Sequence, residues 1–191
     1  MDNPQETLSQ AEWGWLAGMI DGDGCISMHV RKKAGAHWGG NGVDLRITIN
    51  NGDGGIIQKA ADLFKRLGAN PSISEVEPEP IHNGTRATVY HPNRNVMCLH
   101  LHKMVYIAIV LVGIEPHLAG EKKYRSQLML EFIQRRVLRK GPRSKEGYSN
   151  GTSSWYDEGD WALVAKFLNA CSKPAPEWLG RILRDYTPSS P

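Results

Sequence analysis

The stretch Trp15-Leu16-Ala17-Gly18-Met19-Ile20-Asp21-Gly22-Asp23-Gly24 constrains this chain more than any other. A helical pattern leads into it and an alternating strand pattern leaves it. Small residues recur at Ala11, Gly14, Gly18 and Gly22, three or four apart, so one helix face is bare enough for a second helix to come very close. The helix then ends on Asp21 and Asp23. A carboxylate there meets the negative end of the helix dipole, an unfavourable place unless a cation joins it. A close-contact helix with acids at its end reads as a metal site built at an interface.

The same stretch resembles the defining motif of the LAGLIDADG homing endonucleases, matching at Leu16, Ala17, Gly18, Ile20, Asp21, Asp23 and Gly24. It departs at Met19, an apolar replacement, and at Gly22, which stands in place of Ala. The resemblance covers roughly residues 10–136. It implies an α+β fold of order αββαββα, with a saddle-shaped antiparallel sheet and helices behind it. It also implies site-specific cleavage of double-stranded DNA with Mg²⁺ (or Mn²⁺). The motif occurs once, and single-motif members of that family act as homodimers. The expected dimer therefore pairs the 11–21 helices through Ala11, Gly14, Ala17, Gly18 and Asp21, and its target is pseudo-palindromic.

The resemblance further assigns a metal-binding carboxylate to Asp23, beside the carbonyl of Gly22, oxygen donors that suit a hard divalent cation. Asp21 is nearer the helix packing. Lys122, with Lys123 as the alternative, would stabilise charge on the phosphate. Asn51, just after the second strand, would position water; the basic residue that often follows a few places on is replaced by Gly54 and Gly55. On the same fold, an RNA maturase acting on its host intron and a DNA-binding regulator without cleavage are the alternatives.

Charge distribution points the same way as the motif. The net charge of the 191 residues is only +3, but residues 1–24 hold five acids and no Lys or Arg, whereas residues 121–145 hold nine Lys/Arg against Glu121 and Glu131. A basic block of that density suits a polyanion. Cys25, Cys98 and Cys171 lack CxxC spacing and fit reduced thiols. Cys98, His100 and His102 share a strand face but have no evident fourth ligand for a soft metal. The acidic start carries no signal or transit pattern, and the apolar run Val105 to Ile114 is too short for a bilayer. No membrane partner is expected, and the expected location is intracellular: the cytoplasm of a prokaryotic or phage-infected cell, or an organelle that makes the protein.

In chain order, Ser9 and Glu12 form a capping box for a helix from about Gln10 to Asp21. Residues 25–33 and 44–50 alternate as a hairpin. Its inward side chains are Ile26, Met28, Val30, Leu45, Ile47 and Ile49; its outward side chains are Ser27, His29, Arg31, Lys33, Arg46 and Thr48. A helix follows over residues 56–67, then weak strands over 71–77, a loop over 78–84, and strands over 85–91 and 96–102. Arg86, Thr88, Tyr90, His100 and His102 face outward there. A two-stranded ribbon fits the DNA major groove, so these outward residues are the expected base readers. Lys32, Trp38 and Arg94, on loops, are expected on the phosphate backbone, with Lys123, Arg139 and Lys140 adding basic contacts. Helices are expected over 103–112, 118–140, 157–170 and 176–186. Residues 1–140 thus form the core domain, 141–156 a linker rich in Gly, Ser and charge, and 157–191 a helical extension packing on the core.

Overall fold

The computed structural model describes residues 7–32, 41–76, 81–82, 89–90, 96–139 and 156–172. The chain divides into two compact units. Unit 1 comprises Met1–Ile26 and Arg46–Leu118; unit 2 comprises Ser27–Leu45 and Ala119–Pro191. Strands β1 (Gly24–Lys32) and β2 (Asn41–Asn51) each cross from one unit to the other. With β3 (Ser72–Val76) and β6 (Val96–Leu101) they form a four-stranded sheet of order β1-β2-β6-β3. This α+β arrangement matches the expected class. One expectation is corrected: residues 78–84 are not simply a loop, because β4 (Ile81–His82) pairs antiparallel with β5 (Val89–Tyr90) in a separate ribbon. Two-residue strands are fixed by partners rather than by a run of alternation, so periodicity could not show them.

Unit 1 is built on α1 (Gln10–Asp23), α2 (Gly54–Arg66) and α3 (Met104–Ile114), with a 3-10 turn at Glu115–His117. The capping box forms: Ser9 Oγ accepts from the Glu12 N–H at 3.3 Å, and the Ser9 N–H donates to Glu12 Oε2 at 2.7 Å. Glu12 also binds the Arg66 guanidinium in the last turn of α2, so one residue caps α1 and ties it to α2. That bonding holds the Glu12 carboxyl down at about 2 from the usual carboxylate range, the Arg66 hydrogen bond being the largest cause and the Ser9 hydrogen bonds next. α2 ends in a Schellman turn: Gly68, at φ 78°, sends its N–H to Lys65 O, and the Ala69 N–H reaches Phe64 O.

Leu16 and Ile20 of α1, Ile57 and Phe64 of α2, Ile47 and Ile49 of β2, Leu99 of β6, and Ile107 and Leu111 of α3 are fully buried. Strand register places Ile47 opposite Leu101 and Ile49 opposite Leu99, so the apolar row lines one side of the sheet. Trp13 of α1 lies against the backbone of Gly113 in α3, where any side chain would collide with the ring.

Unit 2 carries α4 (Gly120–Arg139) and α5 (Glu158–Ala170), which pack on each other. Asp157 and Asp160 form a second capping box at the start of α5. Leu128, Met129, Phe132 and Ile133 of α4 and Trp161, Val164 and Phe167 of α5 are buried. The expected helix over 176–186 lies outside the described residues. No helix among the described residues is long and apolar enough to cross a membrane.

Candidate active site and nucleic-acid face

The end of α1 is held by a short polar relay within unit 1. Asn51, the last residue of β2, donates its side-chain amide to Asp23 Oδ2 at 2.7 Å. Its own Oδ1 accepts the Asp53 N–H at 2.8 Å, and Asp53 Oδ1 in turn accepts the Gly55 N–H at 2.8 Å as the N-cap of α2. The relay thus links the end of α1, the end of β2 and the start of α2, with Asn51 the residue that bonds the Asp23 carboxylate. Asp23 is exposed, and Oδ2 is its one oxygen bonded among the described residues. The backbone leaves α1 sharply: the Gly24 N–H donates to Ile20 O, and a Cβ on Gly24 would lie 2.6 Å from Ile20 Cα. The glycine after Asp23 is therefore required by the turn into β1. The sequence placed Asn51 near the site but not in direct contact with Asp23; that contact joins residues 28 apart and has no local signature.

The helix motif separates into two sides. Leu16, Ala17 and Ile20 turn inward and are buried. Ala11, Gly18 and Gly22 are exposed on the opposite side, and nothing lies within 4 Å of where a Cβ on Gly18 or Gly22 would sit. Gly14 is half-buried near the His117 ring, and Asp21 is half-buried. Ala17 is the correction: a helix of 3.6 residues per turn sets it beside Leu16 and Ile20, in the unit's own core, and away from the bare stripe.

The outward face of β2, β6 and β3 in unit 1 is organised around His100. Its Nδ1 lies 3.3 Å from Thr48 Oγ1 and its Nε2 3.3 Å from Ser74 Oγ, while the His102 ring is 5.9 Å away. Burial, with Arg46 and His102 adding positive charge nearby, pushes the His100 pKa down from its ordinary value. A neutral ring donates through one nitrogen and accepts through the other, and hydroxyls on both sides can serve either role. Sequence reasoning missed Ser72 and Ser74 as members of this face. Their strand alternates weakly, and only the register Ser72↔His100 and Ser74↔Cys98 puts them there.

In unit 2, His29 is exposed on β1, as expected for a reading residue. Ser27, expected among the outward residues, is buried, at 6% exposure. Arg31 and Arg139 lie in their predicted elements, whereas Lys32, expected on a loop, is the last residue of β1; the side chains of all three lie outside the described residues, and Tyr90 lies in the β4–β5 ribbon. Lys33, Trp38, Arg86, Thr88, Arg94 and Lys140 fall outside the described residues. Lys122 and Lys123 are half-buried in the first turn of α4.

The basic block is less available than its count suggests. Arg125 bonds Glu121 Oε1 and the carbonyl of Ala170; Arg135 pairs with Asp157 at 3.3 Å and Asp160 at 3.5 Å; Arg136 pairs with Asp160 at 3.7 Å. These three arginines join α4 to the start and end of α5. Charge counting cannot separate such structural cations from those left for a partner.

No family model and no curated protein matches the sequence. Solved structures do. The homing endonuclease I-CvuI in complex with its target aligns at 15% identity over 92% of this chain and 94% of its own, with a TM-score of 0.57. The archaeal intron-encoded homing endonuclease I-Vdi141I complexed with DNA aligns at 13% identity over 91% and 93%, with a TM-score of 0.58. The chain has the LAGLIDADG homing-endonuclease fold. A third such structure, the LAGLIDADG meganuclease I-AabMI bound to uncleaved DNA, aligns at 17% identity over 91% of this chain and 49% of its own, with a TM-score of 0.57. At these identities the shared property is the fold. Within it, the sequence motif falls on α1, with Asp23 its last residue, just before the first strand.

Proposed function

We propose that this chain is a site-specific double-strand DNA endonuclease, working as a homodimer with a divalent cation, Mg²⁺ or Mn²⁺. The observation that carries the reading is the exposed Asp23 carboxylate at the helix end, turned by Asn51 so that one oxygen is engaged and the other is left to ligate. The donor set fits a hard cation: a carboxylate and the backbone carbonyl of Gly22. Among the described residues no group of three or more His, Cys, Asp or Glu could hold a metal, so phosphate oxygens and water would complete the shell. When bound, such a cation supplies Lewis acidity to the phosphate and lowers the pKa of an attacking water. Asn51 keeps the Asp23 carboxylate oriented before substrate arrives, and Gly24, lacking a Cβ, lets the chain turn closely past Ile20 into β1. Lys122 keeps the role that the resemblance implies, stabilising charge on the phosphate.

A duplex has two scissile phosphates, and each chain has one Asp23. The exposed stripe Ala11, Gly18 and Gly22 supports pairing of two α1 helices, which brings a second Asp23 to the cut. Outward side chains such as His29, Thr48, His100 and Ser74 would read base edges. The test is incubation with a linear-plasmid library carrying degenerate inserts. Cleavage of a defined insert with Mg²⁺ and none with EDTA is expected. Salt-sensitive duplex binding with no cutting under any divalent ion would replace the enzyme with a regulator, and preference for folded intron RNA would point to a maturase.

A further inference from the structure

Unit 2 contains a contact that none of the chemistry above uses. The Val43 N–H of β2 donates to the Tyr156 hydroxyl at 3.1 Å, across 113 residues of sequence. Strand β6 pairs with β2 only over Ile47–Asn51, so residues 41–46 run past the end of that partner. Tyr156 meets a backbone donor in the stretch where the ladder has stopped. A stretch of strand beyond the end of a ladder is held less firmly in register than one inside it.

Tyr156 is itself firmly seated. Its ring lies 4.3 Å from the Arg136 guanidinium, 4.8 Å from the Trp161 ring and 6.2 Å from the Phe132 ring, the last stacked at 18°. Arg136 is buried and pairs with Asp160, which is fully buried, and Arg135 lies against Gly159, where a side chain would collide with the guanidinium. Trp161 and Asp160 belong to the first turns of α5. The hydroxyl is therefore presented from a fixed aromatic and ionic base made by α4 and α5 together.

We propose that the α5 segment is a support for the β1–β2 hairpin, and that Tyr156 is a positioning residue for the DNA contacts made by that hairpin. Residues 156–172 thereby acquire a role in base recognition without touching DNA. The inference rests on the DNA-reading function proposed above, and it divides the recognition surface: His29 depends on Tyr156, whereas Thr48 and His100, within the β2–β6 ladder, do not.

Tyr156→Phe removes the hydroxyl and keeps the ring. In the full chain, hydrogen exchange at the Val43 amide is expected to rise at least about fivefold, the size of one lost hydrogen bond, with the Ile49 amide unchanged. The second arm uses the duplex recovered from the degenerate-insert library, with every base pair varied singly. His29→Ala marks the base pairs that the hairpin reads, and Thr48→Ala those read by the ladder. Tyr156→Phe is expected to lower discrimination several-fold at the first set and leave the second alone, with the melting temperature lowered by no more than about 4 °C. Unchanged exchange at Val43, or an even loss across all base pairs, overturns the proposal. A wild-type chain that selects no duplex overturns the DNA-reading function instead, and the exchange arm then still decides whether Tyr156 holds the hairpin.

Discussion

Two aspartates, Asp23 in unit 1 and Asp160 in unit 2, stand at opposite ends of their helices and meet opposite fates. Asp160, at the N-terminus of α5, is fully buried, completes a capping box and faces two arginines. It sits where the helix dipole and both arginines favour a negative charge. Asp23, at the C-terminus of α1, is exposed, has no basic residue in its helical turn, and is held by a single amide. Its surroundings orient it without neutralising it. The difference separates an acid whose charge is answered within the fold from one that has only its direction fixed, the form that the metal ligand proposed above requires.

The contrast can be broken most sharply at Asp160. Asp160→Asn removes a buried carboxylate that faces Arg135 and Arg136, and loss of one member of such a buried pair costs about 3–5 kcal/mol; urea unfolding should show this. The same exchange at Asp23 should change stability by less than about 0.5 kcal/mol, as for exposed sites outside special structure. Between these extremes lies Gly24→Ala, which forces a Cβ into the Ile20 backbone and should destabilise by about 1–3 kcal/mol. Ser9→Ala opens the α1 capping box and should cost about 1 kcal/mol by thermal melting.

The smallest effect is a pH dependence at Glu12. Its carboxyl is depressed from 4.5 to about 2 in the folded chain, so its contribution is fully present above the unfolded value and is lost as pH falls toward 2. The stability gap between wild type and Glu12→Gln should therefore hold from pH 7 to about 5 and close below it, by urea midpoints. A gap that widened on acidification would contradict the Arg66 pairing.

What the sequence made legible was what local physics determines. Ser9 and Glu12 announce the start of α1 because a capping box spans three residues. Ile47 and Ile49 announce the buried side of β2 because alternation has period two. The acids at the end of α1 stood out because the dipole makes them costly. Ser27 and Ala17 are buried although pattern set them outward, because burial is decided by tertiary neighbours that a local pattern does not contain. Arg125, Arg135 and Arg136 were counted toward a polyanion because their partners, Asp157, Asp160 and the Ala170 carbonyl, become neighbours only when α5 folds onto α4. The Asn51–Asp23 bond was invisible for the same reason.

The central claim is that Asp23 is kept for chemistry on DNA. It is tested most directly by comparing wild type with Asp23→Asn on one duplex taken from the degenerate-insert selection, with binding and Mg²⁺-dependent cleavage read side by side. Retained binding with cleavage reduced at least about a thousandfold, a loss of roughly 4 kcal/mol in transition-state stabilisation, is the predicted result. An Asp23→Asn protein that cuts the duplex at the wild-type rate would contradict it.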